Sequence, residues 1–183
     1  MLKINPQNSW LPLEERAAEE TNPRHKAMLM KVRDHMDYEI NGHLEELLTT
    51  HVPHPTYHFW GNNEMVINGP AAVRAFYEDL IASGANQFEV VIEKIVIDED
   101  NVVTEGRVKQ AYTAEAIMEM GITEINGESI SAGEFYVTST QLMTVWPVDV
   151  NGGLIGEDVY LASNPFANCE KATREELPEG FRI

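Results

Sequence analysis

The chain has 183 residues, 13 basic and 30 acidic side chains for a formal charge of −17, and 43% hydrophobic residues. That length suits one domain with a full core, and that hydrophobic content excludes a disordered chain. The charge repels phosphate backbones and anionic lipid, which argues against nucleic-acid and membrane-surface partners; no apolar run reaches the roughly 18 residues of a membrane helix.

Residues 1–22 read as an N-terminal extension in which Ser9 caps a short helix carrying Leu11, Leu13 and Ala17. Residues 1–6 hold no apolar leader core, so no secretory signal is expected and a cytoplasmic location follows. Asn22-Pro23 opens the next helix, over 24–41, where Met28, Val32, Met36 and Ile40 recur at helical spacing and Asn41-Gly42 stops it. A short helix follows with Leu44, Leu47 and Leu48 inward. Pro53 and Pro55 then bar helix, and Thr56–Trp60 reads as an aromatic strand. After a turn at Asn62-Asn63 comes Met65–Ile67, then a helix from Pro70 with Val73, Phe76, Tyr77, Leu80 and Ile81 on one face.

From Phe88 the period changes to two. Phe88–Ile97 and Val102–Met118 read as long strands around a polar turn, and Gly106 marks a bulge or bend in the second. Asn126-Gly127 is a hairpin-turn signal. Phe135–Trp146 and Leu154–Leu161 are the last two strands, and 164–183 is a polar tail. Strands joined by tight turns pair antiparallel. With the helices gathered on one face, the fold class is α+β.

Three stretches carry a resemblance. They are Ile40-Asn41-Gly42-His43-Leu44-Glu45-Glu46-Leu47-Leu48, then Tyr57-His58-Phe59-Trp60-Gly61 followed by Gly69-Pro70 through Phe76-Tyr77, and Gly153-Leu154-Ile155-Gly156-Glu157-Asp158-Val159-Tyr160. In this order they resemble the nuclear-transport-factor-2-like superfamily and its SnoaL-like proteins, over residues 27–163. The resemblance implies a curved antiparallel sheet forming a cone with helices packed on its concave side. It also implies an apolar pocket between them, a homodimer and no cofactor. The domain then spans 23–163.

Similarity to ketosteroid isomerase places His35 where that enzyme has a tyrosine donor, and His58 where it has its carboxylate base. Counting from Gly42 instead of Gly61 gives Phe59 for the base, and such a one-residue slip changes the face. Leu142-Met143-Thr144 lacks the isomerase's second acid. The family register turns Gly156, Asp158 and Tyr160 toward the cavity, whereas hydrophobicity alone favours Ile155, Val159 and Leu161 as the buried set. The candidate catalytic residues are therefore His58 as base, Asp158 orienting it, and His35. Tyr57, Trp60, Tyr77, Tyr112 and Tyr160 are the candidate ligand contacts, with Gln110 beside Tyr112.

His51, His54 and His58 cannot share a metal. The prolines exclude a helix there, and on extended chain His54 and His58 stand about 13 Å apart. No metal site is expected, and the single Cys169 leaves no disulfide.

Two readings of function result. One is a cofactor-free lyase, isomerase, cyclase or dehydratase acting on a small apolar oxygenated molecule by acid–base chemistry. The other is a non-catalytic binding module or a structural subunit of a larger assembly. Epoxide hydrolysis ranks last, because Glu105, Arg107 and Lys109 face away from the expected cavity.

Overall fold

The Met28–Val32–Met36–Ile40 stripe forms one face of a single helix in the computed structural model, which describes residues 3–61, 64–162 and 164–181. This helix, α2 (Pro23–Asn41), starts where the Asn22 side chain accepts the Arg24 and His25 N–H groups, and it ends at Gly42 in the left-handed conformation. It lies beside α1 (Leu11–Glu19), followed by α3 (Leu44–Leu48), α4 (Pro70–Ser83) and a short α5 (Ala114–Glu119).

The strands are β1 (His51–Trp60), β2 (Met65–Asn68), β3 (Glu89–Ile97), β4 (Asn101–Thr113), β5 (Glu124–Ile125), β6 (Glu128–Ser129), β7 (Phe135–Pro147), β8 (Leu154–Leu161) and β9 (Cys169–Ala172). The main curved sheet runs β2-β1-β8-β7-β4-β3, with β9 also on β7. All its pairs are antiparallel except β1 with β8, which lie far apart in sequence and need no hairpin.

One core cluster joins Trp10, just before α1, and Leu13 and Ala17 of α1 to the α2 stripe and to Val90, Val102, Trp146 and Leu154 of the sheet. Leu13 and Ile4 are completely buried, so the N-terminal segment packs as core. No helix among the described residues is long and apolar enough to cross a membrane.

Four expectations need correction. Ser9 does not cap α1: its hydroxyl accepts the Val90 N–H at 2.9 Å and ties the segment to β3. The first strand starts at His51, five residues early, and includes both prolines. Its pairing with β8 breaks between His51 and Thr56, so the prolines, which have no N–H to donate, sit where the ladder is interrupted. The second long strand stops at Thr113, whose hydroxyl accepts the Ala116 N–H and starts α5. The link from β4 to β7 is therefore a helix and a small hairpin, with Asn126 at φ 54° in its turn. The polar tail contributes β9. The Asn62-Asn63 turn lies outside the described residues.

The bulge expected from Gly106 is present, and the extra residue is Glu93 on β3. A methyl group on Gly106 would come within 1.9 Å of the Val91 carbonyl oxygen.

Candidate active site

A cavity of about 190 Å³ opens between the concave sheet face and helices α2 and α4. Met36, Phe59, Phe76, Leu80, Phe88, Val90, Val108, Leu142, Trp146, Val159 and Leu161 make its walls apolar. Into this wall project four ionisable groups: Glu39, Tyr57, Tyr77 and Glu157. No lysine or arginine lines it among the described residues.

Strand register explains the acidic floor. β1 and β8 run parallel with Tyr57 opposite Glu157 and His58 opposite Asp158. Side chains alternate across a strand. Tyr57, Phe59, Glu157, Val159 and Leu161 turn inward, and His58, Trp60, Asp158 and Tyr160 turn outward. Helix α2 adds Glu39 one turn after the buried His35.

The polar groups form one network. His35 Nε2 lies 3.0 Å from the Tyr77 hydroxyl and 3.2 Å from Glu157 Oε1. Tyr77 Oη lies 3.2 Å from the same carboxylate oxygen and 2.8 Å from Tyr57 Oη. Tyr57 Oη lies 2.5 Å from His51 Nε2. On its other side His35 Nδ1 lies 2.9 Å from Thr50 Oγ1, whose own hydrogen goes to the Leu47 carbonyl at 2.6 Å. The Thr50 oxygen therefore accepts, and His35 Nδ1 carries a hydrogen. Tyr77 has one hydrogen for three neighbours. It cannot also bridge His35 Nε2 and Glu157, so that contact needs a proton on one of the two.

Burial first, and the nearby Glu157 charge second, hold the Glu39 carboxyl well above the usual carboxylate range. Burial likewise raises both phenols well above theirs, so Tyr57 and Tyr77 stay neutral donors. Burial, then the adjacent His35, push the His51 imidazole down to about 3.

The candidate residues therefore divide. Tyr57 and Tyr77 line the cavity, and His35 lies just behind it, fully buried. His58 and Asp158 do meet, Nδ1 to Oδ1 at 3.1 Å, but on the outer sheet face, where Trp60 Nε1 also donates to Asp158 at 3.2 Å. Trp60 stacks between His58 and Tyr160 there. The register carried over for Asp158 and Tyr160 is thus one residue out, because Val159 and Leu161 take the inward apolar positions. Of the set chosen on hydrophobicity, Ile155 is 42% exposed. Tyr112 does not line the cavity; its hydroxyl donates to Gln110 Oε1 at 2.7 Å and so holds a lining side chain.

Sequence reasoning missed Glu39 and Glu157. The available signal was an acid on the apolar α2 stripe, between Met36 and Ile40, and an acid two residues before Val159 on the closing strand. Among the described residues, no three His, Cys, Asp or Glu side chains converge as a metal would require.

A family model described as a SnoaL-like domain matches residues 32–140. No curated protein matches the chain in sequence. A candidate SnoaL-like polyketide cyclase from Shewanella putrefaciens superposes with a TM-score of 0.62 at 14% identity, covering 82% of this chain and 88% of that one. A candidate SnoaL-like polyketide cyclase from a Jannaschia species gives 0.56 at 18% identity, covering 78% and 90%. An NTF2-like protein from Anabaena variabilis gives 0.54 at 12% identity, covering 81% and 98%. At these identities the likeness is one of fold.

Proposed function

This chain belongs to the SnoaL-like domain family, and from that premise we propose that it is a cofactor-free acid–base enzyme acting on an uncharged, ring-sized carbonyl compound. The observation that carries this reading is a pair of carboxyl groups, Glu39 and Glu157, in one apolar cavity, with burial holding the Glu39 carboxyl well above the usual carboxylate range. Two carboxyl groups pushed into different protonation states supply an acid and a base side by side.

Glu157 is the base. It takes a proton from the carbon next to the carbonyl, the C–H electron pair moves toward the carbonyl oxygen, and Glu39 donates its hydrogen to that oxygen. Return of the proton to a different carbon gives isomerisation. For dehydration the enol proton returns to Glu39 as the carbonyl re-forms, and the expelled β-hydroxyl takes the proton that Glu157 removed and leaves as water. His35, which the 3.2 Å contact couples to Glu157, orients the carboxylate.

The size and charge of the cavity favour this substrate class. A cavity of about 150 Å³ accepts benzene, so 190 Å³ accommodates a compound of one or two rings. With two acids and no basic lining residue, an anionic substrate would be repelled.

A homodimer in the cytoplasm completes the reading. Exposed Trp60 on β1 and Val66, which pairs with the outward His58, on β2 supply an apolar outer face for a second copy. The one cysteine, Cys169, is buried and unpaired, as suits a reducing compartment.

Thermal shift of the wild-type protein with neutral cyclic ketones and matched cyclic carboxylates tests substrate class. Ketones at about 100 times their dissociation constant should add about 2.7 kcal/mol, with carboxylates inert. Stabilisation by carboxylates alone would reject it.

A further inference from the structure

Beyond the acids, two hydroxyls interrupt the apolar wall of the cavity. Thr104 on β4 and Thr144 on β7 both line it, at 4% and 3% exposure, and they stand directly opposite each other across the two strands. We propose that this pair is a second polar subsite, which seats a carbonyl oxygen of the substrate, so that the compound taken is a cyclic diketone. This rests on the reading of Glu39 and Glu157 as the end that works on the first carbonyl.

Neither hydroxyl is used up by the fold. Trp146 Nε1 donates to Thr104 Oγ1 at 3.1 Å. An indole nitrogen cannot accept, so the Thr104 hydrogen is left over. Among the described residues no acceptor takes that hydrogen, and no group bonds Thr144 Oγ1. The immediate neighbours of Thr144 are apolar: Val159 opposite it on β8, Leu142 and Trp146 beside it on β7. A buried hydroxyl without a partner costs stability, and such groups are rare. Two of them side by side on a cavity wall are explained by a ligand oxygen that bonds both.

The geometry sets the chemistry of that oxygen. Side chains directly opposite in an antiparallel pair have Cβ atoms about 5 Å apart. One oxygen seated between them takes a hydrogen from each at about 2.8 Å. A carbonyl oxygen, with two lone pairs and no hydrogen, matches two donors. No basic side chain lines the cavity among the described residues, so a carboxylate would find no charge partner there. Glu157 lies two residues before Val159, the partner of Thr144, which makes Glu157 and Thr144 diagonal neighbours about 7–8 Å apart along the sheet. That spacing favours carbonyls on opposite sides of a ring over carbonyls on adjacent carbons.

Calorimetric binding of cyclohexane-1,4-dione and cyclohexanone to the full chain, with melting curves of the same variants, tests the subsite. Each hydroxyl is expected to be worth about fivefold in affinity, so the wild type should favour the dione by about 25-fold. Thr144→Val should lose about fivefold on the dione and nothing on cyclohexanone. Without ligand it should melt above the wild type, because an unbonded polar group has left the core. Thr144→Ser should keep the preference. Thr140 is the control: its hydroxyl is also buried without a partner, but it does not line the cavity, so Thr140→Val should keep the preference too. Equal affinity of the wild type for the two ketones, an undiminished preference in Thr144→Val, or a lower melting temperature for ligand-free Thr144→Val would overturn the proposal. The acid–base reading fails separately, on proton exchange next to the carbonyl, which binding does not require.

Discussion

His35 Nε2 and Glu157 Oε1 stand 3.2 Å apart, with the histidine fully buried and the acid at the floor of an apolar cavity. An exposed pair of this kind would be worth little. Here the low-dielectric surroundings strengthen each contact, and removing one partner leaves the other unsatisfied. His35→Leu is expected to destabilise the fold by about 2–4 kcal/mol, read by urea denaturation. A loss below 1 kcal/mol would mean that the network is not closed in solution.

Glu39 gives a pH signature of opposite sign to an ordinary acid. Its carboxyl is raised above the 4.5 of an exposed glutamate, so the folded state holds a proton that the unfolded state releases. That contribution is complete below pH 4.5 and is lost as pH rises through the folded-state value. Glu39→Gln should therefore be the more stable protein at pH 8, by about 1.4 kcal/mol for each unit of the shift. The advantage should vanish near pH 4. Melting curves at the two pH values decide it.

His51 acts in the other direction. Held down to about 3 from an ordinary 6.5, it stays neutral in the fold while the unfolded chain takes up a proton. Its contribution is present above pH 6.5 and lost as pH falls toward 3. Comparing pH 7.5 with pH 4.5, the wild type should lose more stability than His51→Leu. Equal losses would indicate that His51 is accessible to protons in the fold.

Gly106 is fixed by the bulge at Glu93. Since an added methyl would meet the Val91 carbonyl at 1.9 Å, Gly106→Ala must part β3 from β4. A loss of about 1–3 kcal/mol is expected. By the same logic Leu13→Ala, at a fully buried position of α1, should cost about 2–5 kcal/mol. A near-neutral result there would place the N-terminal segment outside the cooperative unit.

Trp60 lies on the outer face, stacked on Tyr160 and 40% exposed. For the proposed homodimer, Trp60→Asp should give a monomer in light scattering without weakening ligands of the cavity. Retention of the dimer would move the interface elsewhere.

The elements were largely legible in the sequence because their periods are strong. The α2 stripe follows from spacing, and Gly106 within a strand signals a bulge or bend there, whereas the extra residue lies opposite it, on β3. The site was less legible, for a reason of parity: β1 and β8 present an acid or a histidine on both faces, His58 and Asp158 outward, Glu157 inward. Only the pairing of Tyr57 with Glu157 says which face meets the helices, and a one-residue slip in counting exchanges them. Glu39 was hidden differently. It sits on an apolar stripe, where a charged residue reads as the solvated edge of the helix until the sheet closes over it.

The most direct test of Glu157 as the cavity base is the exchange of α-hydrogens of a neutral cyclic ketone for deuterium, followed by proton NMR in deuterated buffer. Wild-type protein should accelerate exchange. Glu157→Gln should lower the rate by at least about 100-fold, and His58→Ala should leave it unchanged. Exchange that survives Glu157→Gln and is lost in His58→Ala would move the chemistry to the outer face and contradict the assignment.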